Sequence, residues 1–157
     1  RRRGVGFATI TLAAGISSTG DPALDARLPL DEPYRVPAST AAAIRRARAK
    51  GGRIVAVGTT AVRALEHSAA RSGEGVADQR IGPGTRLAVV DAILSGTHEP
   101  HENHYQLLRA FHDDDLLARS GAALEAANYR THEFGDSVLV FKKSLPAMSN
   151  YARLERQ

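Results

Sequence analysis

The sequence predicts an α/β fold, a layered α/β/α domain, and three observations carry that prediction. Strand-like and helix-like periods alternate along the chain in the order β, α, β, α, β, α, α, β. The segment Arg53 to Val57 is short and mostly apolar, the pattern of a strand covered on both faces of a sheet. It breaks at Gly58 and runs directly into a helical pattern, the strand-turn-helix junction of α/β units.

Each element has its own justification. Phe7 to Leu12 alternates at period two and is rich in β-branched residues, which predicts a half-buried strand. Gly15 to Asp21 is a Ser- and Gly-rich loop, and Asp21 to Pro37 holds four prolines and reads as an extended connection. Ala38 to Ala49 is a helix with Ser39 or Thr40 near its start and Gly51-Gly52 stopping it. Thr60 to Arg71 is the next helix, with Val62, Leu65 and Ala69 on its inward stripe and Arg63, Glu66 and Arg71 facing elsewhere. Ser72 to Gly84 is a glycine-rich loop without period. Leu87 to Leu94 is strand-like but broken by Asp91, and His98 to His104 is a polar loop. Tyr105 to Phe111 is a short helix capped by Asn103 with Gln106 three residues on. Asp113-Asp114-Asp115 is the acidic start of a helix that ends near Asn128, and Asp136 to Phe141 is the last strand. Residues 1–36 are expected to be a strand and extended connection at the edge of a β subdomain, and residues 37–157 an α/β domain.

Composition narrows the class. A chain of 157 residues can bury one core, and 43% hydrophobic with 24% charged residues is ordinary for a globular domain. Cysteine is absent, and no apolar run is long enough for a membrane span, so a cytoplasmic protein without disulfides is expected. The net charge of +4 permits contact with nucleic acid without demanding it. Arg45, Arg46, Arg48 and Lys50 close a helix, where cations complement the negative end of the dipole or meet RNA phosphate. The first residue is Arg1 and the only methionine is Met148, so the chain is expected to be part of a longer one.

Three stretches can carry chemistry. At Gly58-Thr59-Thr60, free backbone N–H groups and two hydroxyls gather at a helix start, and Arg63 adds a cation against the positive end of the dipole. A bound anion would compensate that cation, and Arg63→Ala is then expected to weaken ligand binding without unfolding the chain. The competing reading pairs Arg63 with Glu66 and leaves the threonines as ordinary caps. In Gly96 to His104, three histidines and two glutamates fall within nine residues. A metal site and single acid–base use of His98 are both open there. In the third, Tyr129 to Asp136, Gly135 marks a turn and Asp136 can orient a hydroxyl or accept from backbone amides. Asp91 inside an apolar strand must find a partner or sit at the strand's open end, where α/β sheets place ligands. No G-x-S-x-G elbow, P-loop or G-x-G-x-x-G occurs.

Several blocks resemble, in order, the S-adenosylmethionine:tRNA ribosyltransferase-isomerase family of queuosine biosynthesis. Tyr34-Arg35-Val36-Pro37 resembles its Y-x-[IV]-P block. Gly51 to Glu66 is similar, almost residue for residue, to G-G-R-[IV]-[IV]-A-V-G-T-T-[SA]-V-R-x-L-E. Pro83-Gly84 with Val89-Val90-Asp91 resembles P-G-x-x-[FL]-x-V-V-D, and Tyr129 to Asp136 resembles Y-R-F-[FY]-S-[YF]-G-D. The match runs from about Phe7 to Phe141.

The resemblance implies a transferase and isomerase that takes the ribosyl part of S-adenosylmethionine and builds it onto a deazaguanine base in tRNA, releasing adenine and methionine. S-adenosylmethionine is then a substrate, tRNA the partner, and no metal is needed. It also implies a two-domain relative of about twice this length, of which this chain is the C-terminal portion with most of an inserted β-barrel domain absent. Carried onto matching positions, Gly58, Thr59, Thr60, Arg63 and Asp136 hold the nucleoside or a phosphate, His98 moves a proton at the reacting sugar, and Asp91 orients or stabilises. Two blocks depart. T-L-H-V-G-x-G-T-F stands here as Thr11 to Thr19 with Ala13 in place of the histidine, and N-F-H-L-P keeps only His98 and Pro100. The first departure predicts low activity on tRNA, or a divergent paralogue with another acceptor. The alternatives are a metal-dependent enzyme using the His98–His104 loop and a non-catalytic RNA-binding module on the same scaffold. Oligomeric state is not legible.

Overall fold

The computed structural model describes residues 4–16, 19–97, 103–130 and 135–143. Strand β1 (Thr11–Leu12), β2 (Glu32–Val36) and β4 (Gly73–Ala77) form one antiparallel sheet in the order β1-β2-β4. Strand β3 (Val55–Val57), β5 (Ala92–Gly96) and β6 (Ser137–Phe141) form a second, in which β3 runs parallel and β6 antiparallel to β5. Helices α1 (Pro22–Asp25), α2 (Ala38–Ala49), α3 (Thr59–Ser68), α4 (Asn103–Leu108) and α5 (Asp114–Ala126) complete the described elements. The mixed α/β class is as expected. The two-sheet arrangement is not, because β2 and β4 lie in segments that read as connection and loop.

Local chemistry explains both misread strands. Along β2, Glu32, Tyr34 and Val36 alternate as buried positions, so period two runs straight through Pro33. Pro33 lacks an N–H, but it lies beyond the β1 pairing, which takes only Tyr34 and Arg35, so no ladder bond is lost on that side. In β4, Gly75 lies under the ring of Tyr34, where an added Cβ would stand 2.5 Å from the phenolic oxygen. The Tyr34 hydroxyl in turn meets His67 Nδ1 at 2.8 Å, tying β2 to α3.

Helix ends follow backbone rules. Helix α2 starts at Pro37, in extended conformation, and the Thr40 hydroxyl donates instead to the Thr9 carbonyl at 2.6 Å. At its other end Gly51 is left-handed, Gly51 N–H bonds to Arg48 O, and Gly52 N–H bonds to Ala47 O. That is a Schellman closure, and a Cβ at Gly52 would stand 2.9 Å from the Ala47 carbonyl oxygen. Helix α3 ends earlier than its apolar stripe implies, because Ala69 and Ala70 turn left-handed. Asp113 caps α5 by accepting from Leu116 N–H, and its carboxyl is held below the usual range first by Lys143 and then by that amide.

Helix α3 joins the two sheets. Ala61, Val62 and Leu65 belong to a core shared with Ile44, Ala56, Ile93, Leu108 and Phe111, while Ala64 packs among Tyr34, Val36, Ala41 and Ala77. No described helix is long and apolar enough to cross a membrane.

Residues 87–90, expected as the first half of a strand, are irregular, and β5 begins only at Ala92. Glu66 accounts for this. One carboxylate oxygen accepts from Val89 and Val90 N–H at 2.9 and 2.8 Å, and the other from Ala88 N–H at 2.8 Å. Arg48 donates to the carbonyls of Ala88 and Val89. Three consecutive amides satisfied by one carboxylate cannot also join a ladder. Glu66→Ala is expected to lower stability by about 1–3 kcal/mol, through those orphaned amides. Chemical denaturation of the two proteins checks it, and equal midpoints would count against the anchor.

Candidate functional site

The carboxyl ends of β3 and β5 lie side by side, with Val57 in register with Leu94. Gly58 follows β3 with φ 87°, a left-handed conformation that suits glycine, and its N–H bonds to the Leu94 carbonyl at 2.9 Å. Helix α3 then starts at Thr59 without a side-chain cap. Its first amides have no acceptor within the helix, so the junction offers N–H donors and the half-buried Thr59 side chain at the sheet's carboxyl edge.

Beside it, Thr97 follows β5. Its N–H bonds to the Asp136 carbonyl at 3.2 Å, and its hydroxyl donates to the Arg130 carbonyl at 2.6 Å. The Asp136 carboxylate accepts from Arg130 N–H at 2.8 Å, and the reciprocal backbone bond from Asp136 N–H to Arg130 O closes the turn. Gly58, Thr59, Thr60 and Asp136 therefore share one edge of the second sheet. His98 lies outside the described residues, as do His101 and the segment Thr131 to Phe134. The last described residue before it, Thr97, is at this edge.

Arg63 has a different role from the one expected. It is the fifth residue of α3 and is 3% exposed. Its Nη1 donates to Glu32 Oε2 at 2.7 Å and to the Leu30 carbonyl at 2.9 Å, its Nη2 to the Ala77 carbonyl at 2.7 Å, and its Nε to the Gln79 carbonyl at 3.2 Å. A guanidinium committed to four protein acceptors does not hold a ligand. The anion that this cation calls for comes from within the chain, as Glu32 on β2. The other oxygen of Glu32 accepts from the Thr60 hydroxyl at 3.1 Å and from Gly15 N–H at 3.2 Å. The expected partner, Glu66, is engaged with the 88–90 amides instead.

Asp91 is also corrected. Its side chain is buried, accepts from Ile54 N–H at 2.8 Å, and stands 3.8 Å from Arg48 and 3.9 Å from Lys142. It precedes β5, so it lies at the amino end of the sheet, the length of a five-residue strand from Thr97, or about 16 Å. From there it fastens β3 and does not orient a group at the carboxyl edge. Among the described residues, no cluster of three or more His, Cys, Asp or Glu could hold a metal.

The residues that sequence reasoning missed are Glu32 and Thr97. Glu32 had a signal: it shares a period-two face with Tyr34 and Val36. Thr97 was overshadowed by the histidines that follow it.

An uncapped helix start thus stands at the carboxyl edge of a parallel strand pair, the place where open α/β sheets commonly take ligands. The family model described as queuosine biosynthesis protein matches residues 1–140, and the chain belongs to that family. The S-adenosylmethionine:tRNA ribosyltransferase-isomerase of Trichlorobacter lovleyi is 36% identical over 149 residues, which cover 89% of this chain and 43% of that protein. The enzyme of the same name from Citrifermentans bemidjiense is 38% identical over 149 residues with the same coverage. The crystal structure of S-adenosylmethionine tRNA ribosyltransferase from Thermotoga maritima superposes with a TM-score of 0.72 at 33% identity, covering 89% of this chain and 46% of that one. The chain thus spans a little under half the length of the relatives it matches.

The reassignment of Arg63 reverses the expectation for its substitution. Removing the guanidinium strands a buried carboxylate and three carbonyls, so Arg63→Ala is expected to cost about 3–5 kcal/mol of stability. A thermal melt within a degree or two of the parent protein would restore Arg63 to the list of ligand contacts.

Proposed function

We propose that this chain is part of an S-adenosylmethionine:tRNA ribosyltransferase-isomerase of the cytoplasm, acting on a deazaguanine base in tRNA. The carrying observation is the uncapped Gly58–Thr60 junction, which stands beside Thr97 and Asp136 in a chain of this family. In this reading the α3 amides and the Thr59 hydroxyl hold an anionic or hydroxyl-rich part of the ligand, a tRNA phosphate or the polar end of S-adenosylmethionine. The Asp136 turn holds the β5 end in place, so that His98, just beyond Thr97, can take or give a proton at the reacting ribose. Residues 1–36 stand at the edge of the family's β subdomain, with sheet β1-β2-β4 as the border, and the α/β part follows.

Ala13 belongs to the same neighbourhood. Its N–H bonds to the Pro33 carbonyl, and Gly15, two residues on, bonds to Glu32. A histidine in its place would stand just past the end of β1, so Ala13→His is expected to raise turnover on tRNA.

Adenine release from S-adenosylmethionine, measured by chromatography on the longest polypeptide that carries this chain, tests the reading. Release that depends on deazaguanine-bearing tRNA is expected. Release without tRNA would point to another acceptor. A folded protein that releases none, yet binds RNA with steep salt dependence, would be a binding module instead.

A further inference from the structure

Seven cations and no carboxylate stand between Glu32 and Glu66. Four of the seven are committed within the chain. Arg35 pairs with Glu74 at 3.8 Å, Arg48 donates to the Ala88 and Val89 carbonyls, Arg53 lies over the Phe141 ring at 5.0 Å, and Arg63 is bound to Glu32. Arg45, Arg46 and Lys50 are exposed and have no hydrogen bond or ion pair among the described residues. These three share one face. Thr40, Ala41 and Ile44 are the buried side of α2, while Arg46 and Lys50, four residues apart, stack on the side away from it with Arg45 next to them. The helix does not need them for its own closure. Its last carbonyls already accept from Lys50, Gly51 and Gly52 N–H, and like charges one turn apart repel. The two acids that meet the segment held by Arg48 give no relief, because Asp91 is bound to Ile54 N–H and Glu66 to the amides of residues 88–90.

Three unpaired cations on an exposed helix face suit a run of phosphates, which asks for positive charge and for no particular side-chain shape. We propose that the Arg45, Arg46 and Lys50 face of α2 holds the sugar-phosphate backbone of RNA, outside the base that reacts and without reading sequence. The face is at the amino end of β3, whereas the α3 start is at its carboxyl end, and residues 53–57 separate the two by about 16 Å of extended chain. Phosphates held on α2 therefore belong to nucleotides several positions away from the one at the ligand edge. This contact rests on the tRNA reading above and adds to it a second point of attachment, electrostatic and independent of the nucleobase.

Binding of in vitro transcribed tRNA to the longest polypeptide that carries this chain, followed by fluorescence anisotropy across a potassium chloride series, tests the surface. Arg45→Gln, Arg46→Gln and Lys50→Gln, combined, should weaken binding about tenfold or more and flatten the slope of log affinity against log salt by about two, as the loss of three phosphate contacts requires. A control that combines Arg27→Gln, Arg35→Gln and Arg119→Gln, all exposed and none on α2, removes the same charge and should leave affinity and slope near those of the parent. Circular dichroism melts establish that both variants are folded. Adenine release at saturating tRNA should persist in the α2 variant, because none of its three positions is at the ligand edge. Equal losses in the two triple variants, or an α2 variant that binds as the parent does, would overturn the surface, and tRNA-dependent adenine release alongside would leave the reaction reading standing. A parent protein that binds no tRNA would overturn both.

Discussion

The buried pair between Arg63 and Glu32 is the constraint on which the rest of the molecule depends. Arg63 comes from the helix that packs on both sheets, and Glu32 from the middle strand of the first sheet. Through the carbonyls of Leu30, Ala77 and Gln79, the same guanidinium gathers the segments that flank β2 and β4. Both charges are nearly free of solvent, so each depends on the other for its burial. The Glu32 carboxylate also reaches the Thr60 hydroxyl, near the positive end of the α3 dipole, where a negative charge is favoured. The pair therefore fixes the start of α3, and with it the direction in which Gly58 and Thr59 present their amides.

Equivalent side chains take different roles according to the end of the sheet they occupy. Asp91 and Asp136 are both carboxylates that accept a backbone N–H close to β5. Asp91 is at the amino end, where Ile54, Arg48 and Lys142 surround it, and it secures the entry of β3. Asp136 is at the carboxyl end beside Thr97, on the edge shared with the uncapped helix. Glu66 makes the same point on α3, since it is turned to the three amides of residues 88–90 while Arg63 is bound to Glu32.

Much of this was legible from local patterns. Helix α2, the β3-to-α3 junction, α5 and β6 follow from periodicity, caps and glycine stops, which are properties of neighbouring residues. What escaped depends on distant partners. Strand β4 looks like a loop because its glycine exists for the Tyr34 ring, a contact made across β2. Residues 87–90 look like a strand because their apolar side chains are buried, yet Glu66, more than twenty residues earlier, takes their amides. Arg63 looked available to a ligand because its true partner, Glu32, is 31 residues away and lies between prolines.

A double-mutant cycle of Glu32→Gln and Arg63→Met, read by equilibrium unfolding, tests this account most directly. If the two charges depend on one another for burial, each single change is costly and the double mutant recovers stability. The expected coupling is about 2 kcal/mol or more, within the range for residues in one buried network. Additive effects, with no recovery in the double mutant, would mean that the pair is incidental and that something else holds the start of α3 in place.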